Sequence, residues 1–271
     1  MRRARTLILW LIGVAAALYA LVVGAFWLGQ ERLLYPGWSV GLPPLSAYET
    51  PGAVPVEVPV SGGIVLRGLY RAADPDAPTL VVFHGNGGHD ARKLWAFGAH
   101  GWGTLMVPYR GFSGNPGRPS QAALVADARA VLDFATGPLG LSPDDVVVYG
   151  ESLGSGVAVR AAAGGPWRAV VLEAPYAAVV DRAAQLFPWV PVRLLLRDRW
   201  RSVDHVAALG VPLLVLHGTD DPIMPIAQGR RLFEAASGPK RAVWIEGAGH
   251  QLPPLRVMEE IERFLADLPA A

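Results

Sequence analysis

The sequence predicts an α/β protein: a mainly parallel central sheet flanked by helices, preceded by one N-terminal transmembrane helix. Three observations carry that prediction. Short apolar runs such as "TLVVF", "DVVVYG" and "PLLVLHG" recur along the chain, the pattern of parallel strands buried on both faces. Stretches with apolar residues at three- and four-residue spacing lie between them, and strands alternating with helices build βαβ units. Ahead of all this, "LILWLIGVAAALYALVVGAFWL" runs from Leu7 to Leu28 without a charge. With 271 residues, 52% of them hydrophobic, the chain can bury one large core. The expected organisation is a membrane anchor over 1–28, a linker over 29–53 and one folded domain over 54–271.

The apolar run has no polar stripe to face water, so it does not read as a core helix. As a helix its 22 residues span roughly 33 Å, against a bilayer core of about 30 Å. Arg2, Arg3 and Arg5 precede it, which places the N-terminus in the cytoplasm and the folded domain on the outer, extracytoplasmic side. A cleaved signal peptide competes, because Val23-Gly24-Ala25 has the small residues of a cleavage site. The run exceeds the roughly 7–15 residues of a signal peptide, which favours a retained anchor.

The proline- and glycine-rich stretch "GQERLLYPGWSVGLPPLSAYETPGAVP" follows as an ordered linker. "VPVEVPV" and "GIVLRGLY" flank "SGG" as a hairpin, and "TLVVF", "GTLMVPY", "DVVVYG", "RAVVLEA" and "PLLVLHG" follow as strands. Helical spacing marks "SQAALVADARAVLDFA", with Ser120 as N-cap, then "QGRRLFEAA" and "RVMEEIERFLADL". The segment 181–206, with two prolines in "FPWVPVRLLL", reads either as ordinary helix packing or as a small cap over a greasy substrate.

Charge excludes one class of partner. Three of the 24 basic residues precede the anchor, leaving 21 against 23 acidic residues, so the body has no cationic excess for nucleic acid. Without cysteine there are no disulfides and no thiolate metal sites.

Three motifs carry chemistry. "GESLG", Gly150 to Gly154, matches G-x-S-x-G with a strand before it and a helix after, a sharp turn that projects the Ser152 hydroxyl from the end of the sheet. "LHGTDDPIMP" puts Asp220 and Asp221 in a loop after a strand, where a carboxylate can orient an imidazole. "VWIEGAGHQLPP" puts His250 in a glycine-flanked loop. Serine is a weak nucleophile that needs a base, and the order serine, acid, histidine is the one this strand–turn–helix nucleophile uses. The glycine-rich "FHGNGGHD" after "TLVVF" can aim backbone N–H groups at a developing oxyanion, with the Leu153 N–H as second donor. It lacks the G-K-[ST] ending of a phosphate loop. His84 and His89 have no third ligand at metal-site spacing; His84 reads as structural, His89 as loop surface, and His100 and His205 have no motif. No metal or cofactor is expected.

These residues resemble the α/β-hydrolase superfamily from about Val54 to the C-terminus, through "FHGNGG", "PYRGFSGNPGRPS", "YGESLGSGVA", "LEAPYAAV", "PLLVLHGTDDPIMP" and "EGAGHQ" in that order. Within it the chain is similar to single-helix-anchored serine hydrolases related to fungal bud-emergence proteins, and more distantly to monoacylglycerol-lipase and serine-aminopeptidase types. The family's acid-loop pattern H-G-x-x-D-x-x-V-P implies Asp221 as the acid with Asp220 in reserve, and Met224 replaces the usual valine. The residue after His-Gly implies Asn86 as an oxyanion donor, with Gly87 adjacent. Glu173-Ala174-Pro175-Tyr176 departs from the family's Glu-Ser-Pro-Phe, a change expected at the pocket wall. The implied catalyst is a serine hydrolase forming an acyl-Ser152 intermediate on a carboxylic ester. The anchor points to a lipid substrate such as an acylglycerol or lysophospholipid. An amidase or peptidase of the same fold, or a non-catalytic membrane-tethered scaffold, are the competing readings.

Overall fold

Eight strands form one sheet in the order β1-β2-β4-β3-β5-β6-β7-β8 in a computed structural model that describes residues 2–48, 50–89 and 91–269. β1 (Ala53–Val60) and β2 (Ile64–Arg71) are the expected hairpin, and β2 also runs antiparallel to β4 (Gly103–Met106). β3 (Thr79–Phe83), β5 (Val146–Glu151), β6 (Ala169–Glu173), β7 (Leu213–Gly218) and β8 (Lys240–Ile245) are parallel. β4 stops before Val107-Pro108, since proline has no N–H to extend the ladder.

Every residue of β3, β6 and β7 is buried, which explains why these strands read as continuous apolar runs without alternation. Alternate side chains feed two cores. Val146 and Val148 point to the face covered by α4 (Gln121–Thr136), α5 (Leu153–Ala161) and α8 (Ile226–Ala235). Val147 and Tyr149 point to the face covered by α3 (Ala91–Ala99) and α9 (Pro254–Ala266). Ser120 caps α4 as expected, accepting from the Ala123 N–H at 3.3 Å, an interaction of the kind that stabilises a helix by about 1 kcal/mol.

The strand order reverses between β3 and β5: the chain leaves β3 toward β4 and returns to the other side of β3 as β5. The loops beyond the two carboxyl ends therefore diverge, leaving a crevice where open α/β sheets bind ligands. Both the glycine-rich loop and Ser152 lie there.

α1 (Arg2–Leu34) holds the whole apolar run, and its side chains from Leu7 to Leu21 are exposed. The helix continues past Leu28 to Leu34, and residues expected as a linker pack onto the body. α2 (Pro36–Val40) and a 3-10 turn at Leu45–Ala47 follow, with Tyr35 and Leu45 buried in the two cores. Tyr35 donates to Asp198 at 2.6 Å and accepts from the Trp200 indole at 3.0 Å, which accounts for order in a stretch without periodicity. The segment between β6 and β7 forms α6 (Val179–Leu186), α7 (Val192–Leu195) and irregular turns that lie against α1.

Candidate active site

β5 ends in a backbone that a serine adopts only under constraint: Ser152 has φ 50° and ψ −114°. Such a conformation costs on the order of 1–3 kcal/mol and persists only where its surroundings fix it. Here the Ser152 N–H donates to the Glu173 carbonyl of β6 at 2.9 Å. Gly154 closes the turn because a Cβ there would overlap the Phe83 carbonyl of β3, and one on Gly150 would strike the Gly154 carbonyl. The result is a hydroxyl at the end of the sheet, 9% exposed as a residue, with α5 starting immediately behind it.

The acid and the histidine reach this hydroxyl from loops beyond β7 and β8. His250 Nε2 lies 3.0 Å from Ser152 Oγ, and His250 Nδ1 lies 2.7 Å from Asp221 Oδ2. A carboxylate only accepts, so Nδ1 carries the proton and Nε2 is left to accept from the serine. Asp221 is buried, and its other oxygen accepts from the Ile223 and Met224 N–H groups at 2.9 and 2.8 Å. Burial alone raises the Asp221 carboxyl, but hydrogen bonds from His217, His250 and Met224 outweigh it and hold the group well below the usual carboxylate range. Asp220 is exposed and its carboxylate accepts from Thr219 at 3.2 Å, so of the two adjacent acids it is Asp221 that meets His250.

The glycine-rich loop approaches closely from β3: a Cβ on Gly85 would stand 3.6 Å from Ser152 Cβ. Asn86 follows it, exposed, with its side-chain amide donating to the Leu34 carbonyl at 3.3 Å and its own carbonyl accepting from the Gly37 N–H at 3.0 Å. The side chain is thus committed to the end of α1. Leu153 opens α5, where an N–H has no carbonyl four residues back. The neighbouring Gly87 is exposed within the Gly85–Gly88 turn.

His84 is fully buried beneath this loop, where burial pushes its imidazole down to about 3. Its ring packs on Tyr109, tilted by 40° with centroids 4.1 Å apart, and it shares a hydrogen bond with the Gly85 carbonyl at 2.7 Å. His89, expected at the loop surface, is instead half-buried, its ring edge-on to Tyr48 and its Nδ1 3.1 Å from Ser113 Oγ. His100 packs on Trp102 beside Glu262, and His205 caps a short 3-10 turn. Among the described residues no group of three or more His, Cys, Asp or Glu side chains is arranged to hold a metal ion. Tyr176, expected to alter a pocket wall, lies buried under α5 with its hydroxyl donating to the Leu153 carbonyl at 3.3 Å.

Two features have no counterpart in the motif reading. His217 donates from Nε2 to the Met224 carbonyl at 2.7 Å and stands 3.3 Å from Asp221 Oδ2, so the histidine of the acid-loop pattern clamps the turn that presents the acid. Beneath the serine turn, Lys93 bridges Glu151 and Glu173 at 2.8 Å each, Tyr149 donates to Glu173, and Glu173 also accepts from the Leu252 N–H at 3.3 Å. Burial disfavours the Lys93 ammonium, but the two glutamates outweigh that and raise it above the ordinary lysine value. Burial raises Glu173 as well, against the pull of Lys93. The cluster links the strand before Ser152 to the loop that carries His250. The signal was present only as scattered charges: Lys93 lies 58 and 80 positions from its partners.

No family model matches the chain. An uncharacterized protein of Mycobacterium tuberculosis is 37% identical to it over 265 residues, covering 94% of each chain. The human alpha/beta hydrolase domain-containing protein 17B is 29% identical over 207 residues, 73% of this chain and 70% of that one. Among solved structures, an acetyl xylan esterase from Paenibacillus sp. R4 shares the fold with a TM-score of 0.66 at 19% identity, over 81% of this chain and 85% of that chain. Sheet order, serine turn and relatives agree, and the chain belongs to the α/β-hydrolase superfamily.

Proposed function

We propose that the protein is a membrane-anchored serine hydrolase that cleaves carboxylic esters of lipids through an acyl-Ser152 intermediate. The observation that carries this reading is the chain of contacts from Ser152 Oγ through His250 to Asp221, 3.0 and 2.7 Å long. In the proposed reaction, the Ser152 oxygen attacks the ester carbonyl as its proton passes to His250 Nε2. The Asn86 and Leu153 N–H groups receive the developing oxyanion, and Asp221 stabilises the imidazolium. Collapse returns the proton to the departing alcohol, leaving the acyl-enzyme. Water then attacks with His250 again as base and releases the carboxylic acid.

The anchor reading rests on the length and apolar character of α1, whose uncharged run lies exposed along the helix. It is supported by how α1 is tied down: Tyr19 donates to the Trp189 carbonyl at 2.8 Å, the Arg197 N–H donates to Gln30 at 2.8 Å, and Arg118 and Arg197 both pair with Glu31. Cleavage after Ala25 would discard Tyr19. The three arginines ahead of the helix support an outer, extracytoplasmic location for the hydrolase body.

One experiment tests chemistry and sidedness together. Intact cells expressing the full chain are treated with a membrane-impermeant fluorophosphonate, and lysed cells with the same probe. Wild type labels in both preparations and Ser152→Ala in neither; Asn86→Ala, which spares the backbone N–H, labels like wild type. Labelling of Ser152→Ala removes this serine from the mechanism. Labelling only after lysis places the body in the cytoplasm.

A further inference from the structure

Between α1 and the α6–α7 segment lies an apolar cavity that the reaction above does not use. It has a volume of about 200 Å³ and is walled on one side by α1, through Val23, Phe26 and Leu34, and on the other by α6 and α7, through Ala183, Phe187 and Leu195. A single water needs about 10–15 Å³ on this measure, and an apolar lining offers water few partners. The space suits an alkyl chain.

Three observations say where the cavity leads. Its α1 wall ends at Leu34, whose carbonyl accepts from Asn86 of the glycine-rich loop. Its opposite wall includes Arg182, whose guanidinium donates to the Pro222 and Ile223 carbonyls at 2.8 and 2.9 Å, directly after Asp221. Each wall is therefore bonded to a loop of the candidate active site. In the other direction, the tip between α6 and α7 follows α1 back toward the N-terminus: Phe187 and Trp189 pack on Phe26, and the Trp189 carbonyl meets Tyr19. Tyr19 lies roughly 14 Å along the helix from Leu28, inside the apolar run. Leu186, Trp189 and Leu194 on this tip are 54%, 48% and 80% exposed, an apolar surface costly to leave in water. Trp27 carries the Arg197 guanidinium 4.5 Å from its ring centroid, a pairing suited to the membrane–water interface.

We infer that α1 and the α6–α7 segment together form the acyl-chain site, open to the bilayer, so that the substrate's alkyl tail enters from the leaflet while its ester reaches Ser152. The anchor is then a wall of the binding site as well as a tether. This rests on the proposed serine-hydrolase function and on α1 spanning the membrane.

The test uses the full chain in phosphatidylcholine nanodiscs and p-nitrophenyl esters from acetate to palmitate. Ala183→Trp fills the cavity from α6 and Val23→Trp from α1. Each is expected to lower the ratio of kcat/KM for palmitate to that for acetate at least tenfold. If both variants leave that ratio within twofold of wild type, the acyl site is elsewhere. Absence of acetate turnover by wild type would count against the hydrolase reading alone. In that case a palmitic acid bearing a mid-chain diazirine reads the cavity directly: it crosslinks to peptides from 179–196 in wild type and loses that crosslink in Ala183→Trp, whereas no wild-type crosslink overturns the site.

Discussion

Replacing Asp221 by asparagine changes one atom type and, through the local hydrogen bonds, reverses the polarity of the whole contact chain. Asp221 Oδ1 accepts two backbone N–H bonds, from Ile223 and Met224, at 2.9 and 2.8 Å. An asparagine must keep its carbonyl oxygen there, since an NH₂ in that position would face two donors and leave both unsatisfied. Its NH₂ then points at His250 Nδ1, now 2.7 Å from a carboxylate oxygen, and Nδ1 must accept. The ring's one proton moves to Nε2, the atom 3.0 Å from Ser152 Oγ, and the base disappears without displacing an atom. A serine–histidine pair held in the wrong tautomer loses about 10⁴ in kcat, or about 5.5 kcal/mol of transition-state stabilisation. The assay is kcat/KM for p-nitrophenyl butyrate with purified full chain, comparing Asp221→Asn with Asp220→Asn and with a thermal melt to verify folding. The expectation is a fall of 10³–10⁴ for the first and less than fivefold for the second. A folded Asp221→Asn within tenfold of wild type, or equal losses in both variants, refutes the assignment of the acid.

Four further expectations follow from the same contacts. Fluorophosphonate labelling depends on Ser152 and, in intact cells, reports the side of the membrane. Filling the α1–α6 cavity at Ala183 or Val23 lowers selectivity for long esters over short ones. Lys93→Met leaves Glu151 and Glu173 facing each other without their cation, and breaking a buried pair in this way costs about 3–5 kcal/mol. Glu173 then holds its proton to still higher pH than the unfolded chain does, so the variant loses stability as pH rises above the ordinary carboxylate range; Glu173→Gln in the same chain restores part of the loss, and a Lys93→Met melt matching wild type refutes the ion cluster's role. His84 titrates near 3 when folded and near 6.5 when unfolded, so the native state binds fewer protons between those values and its contribution is present above 6.5 and lost on acidification. The wild type should lose about 1.6 kcal/mol more than His84→Gln between pH 6.5 and pH 5, read from denaturant unfolding in detergent; parallel losses show that His84 does not titrate as described.

Features that depend on neighbours along the chain are readable from residue order. Buried parallel strands are unbroken apolar runs, α4 begins at a serine that caps it, and the serine turn carries its glycines at 150 and 154 within one five-residue stretch. The order of serine, acid and histidine was legible for the same reason: each sits in a loop just past a strand, and the fold brings the carboxyl ends of those strands together. Features that depend on pairs distant in sequence emerge only once the chain is folded. The sequence left two adjacent aspartates open until a family pattern favoured one, and the fold turns Asp221 inward against His217 and His250 while Asp220 faces solvent. Lys93 gains meaning only when α3 crosses beneath β5 and β6. The cavity beside α1 joins that helix to a segment far along the chain, through contacts such as that of Gln30 with Arg197, 167 positions apart, and no local period encodes such a meeting. Those contacts arise because a surface packs against whatever partner the topology delivers to it, and topology is a property of the whole chain.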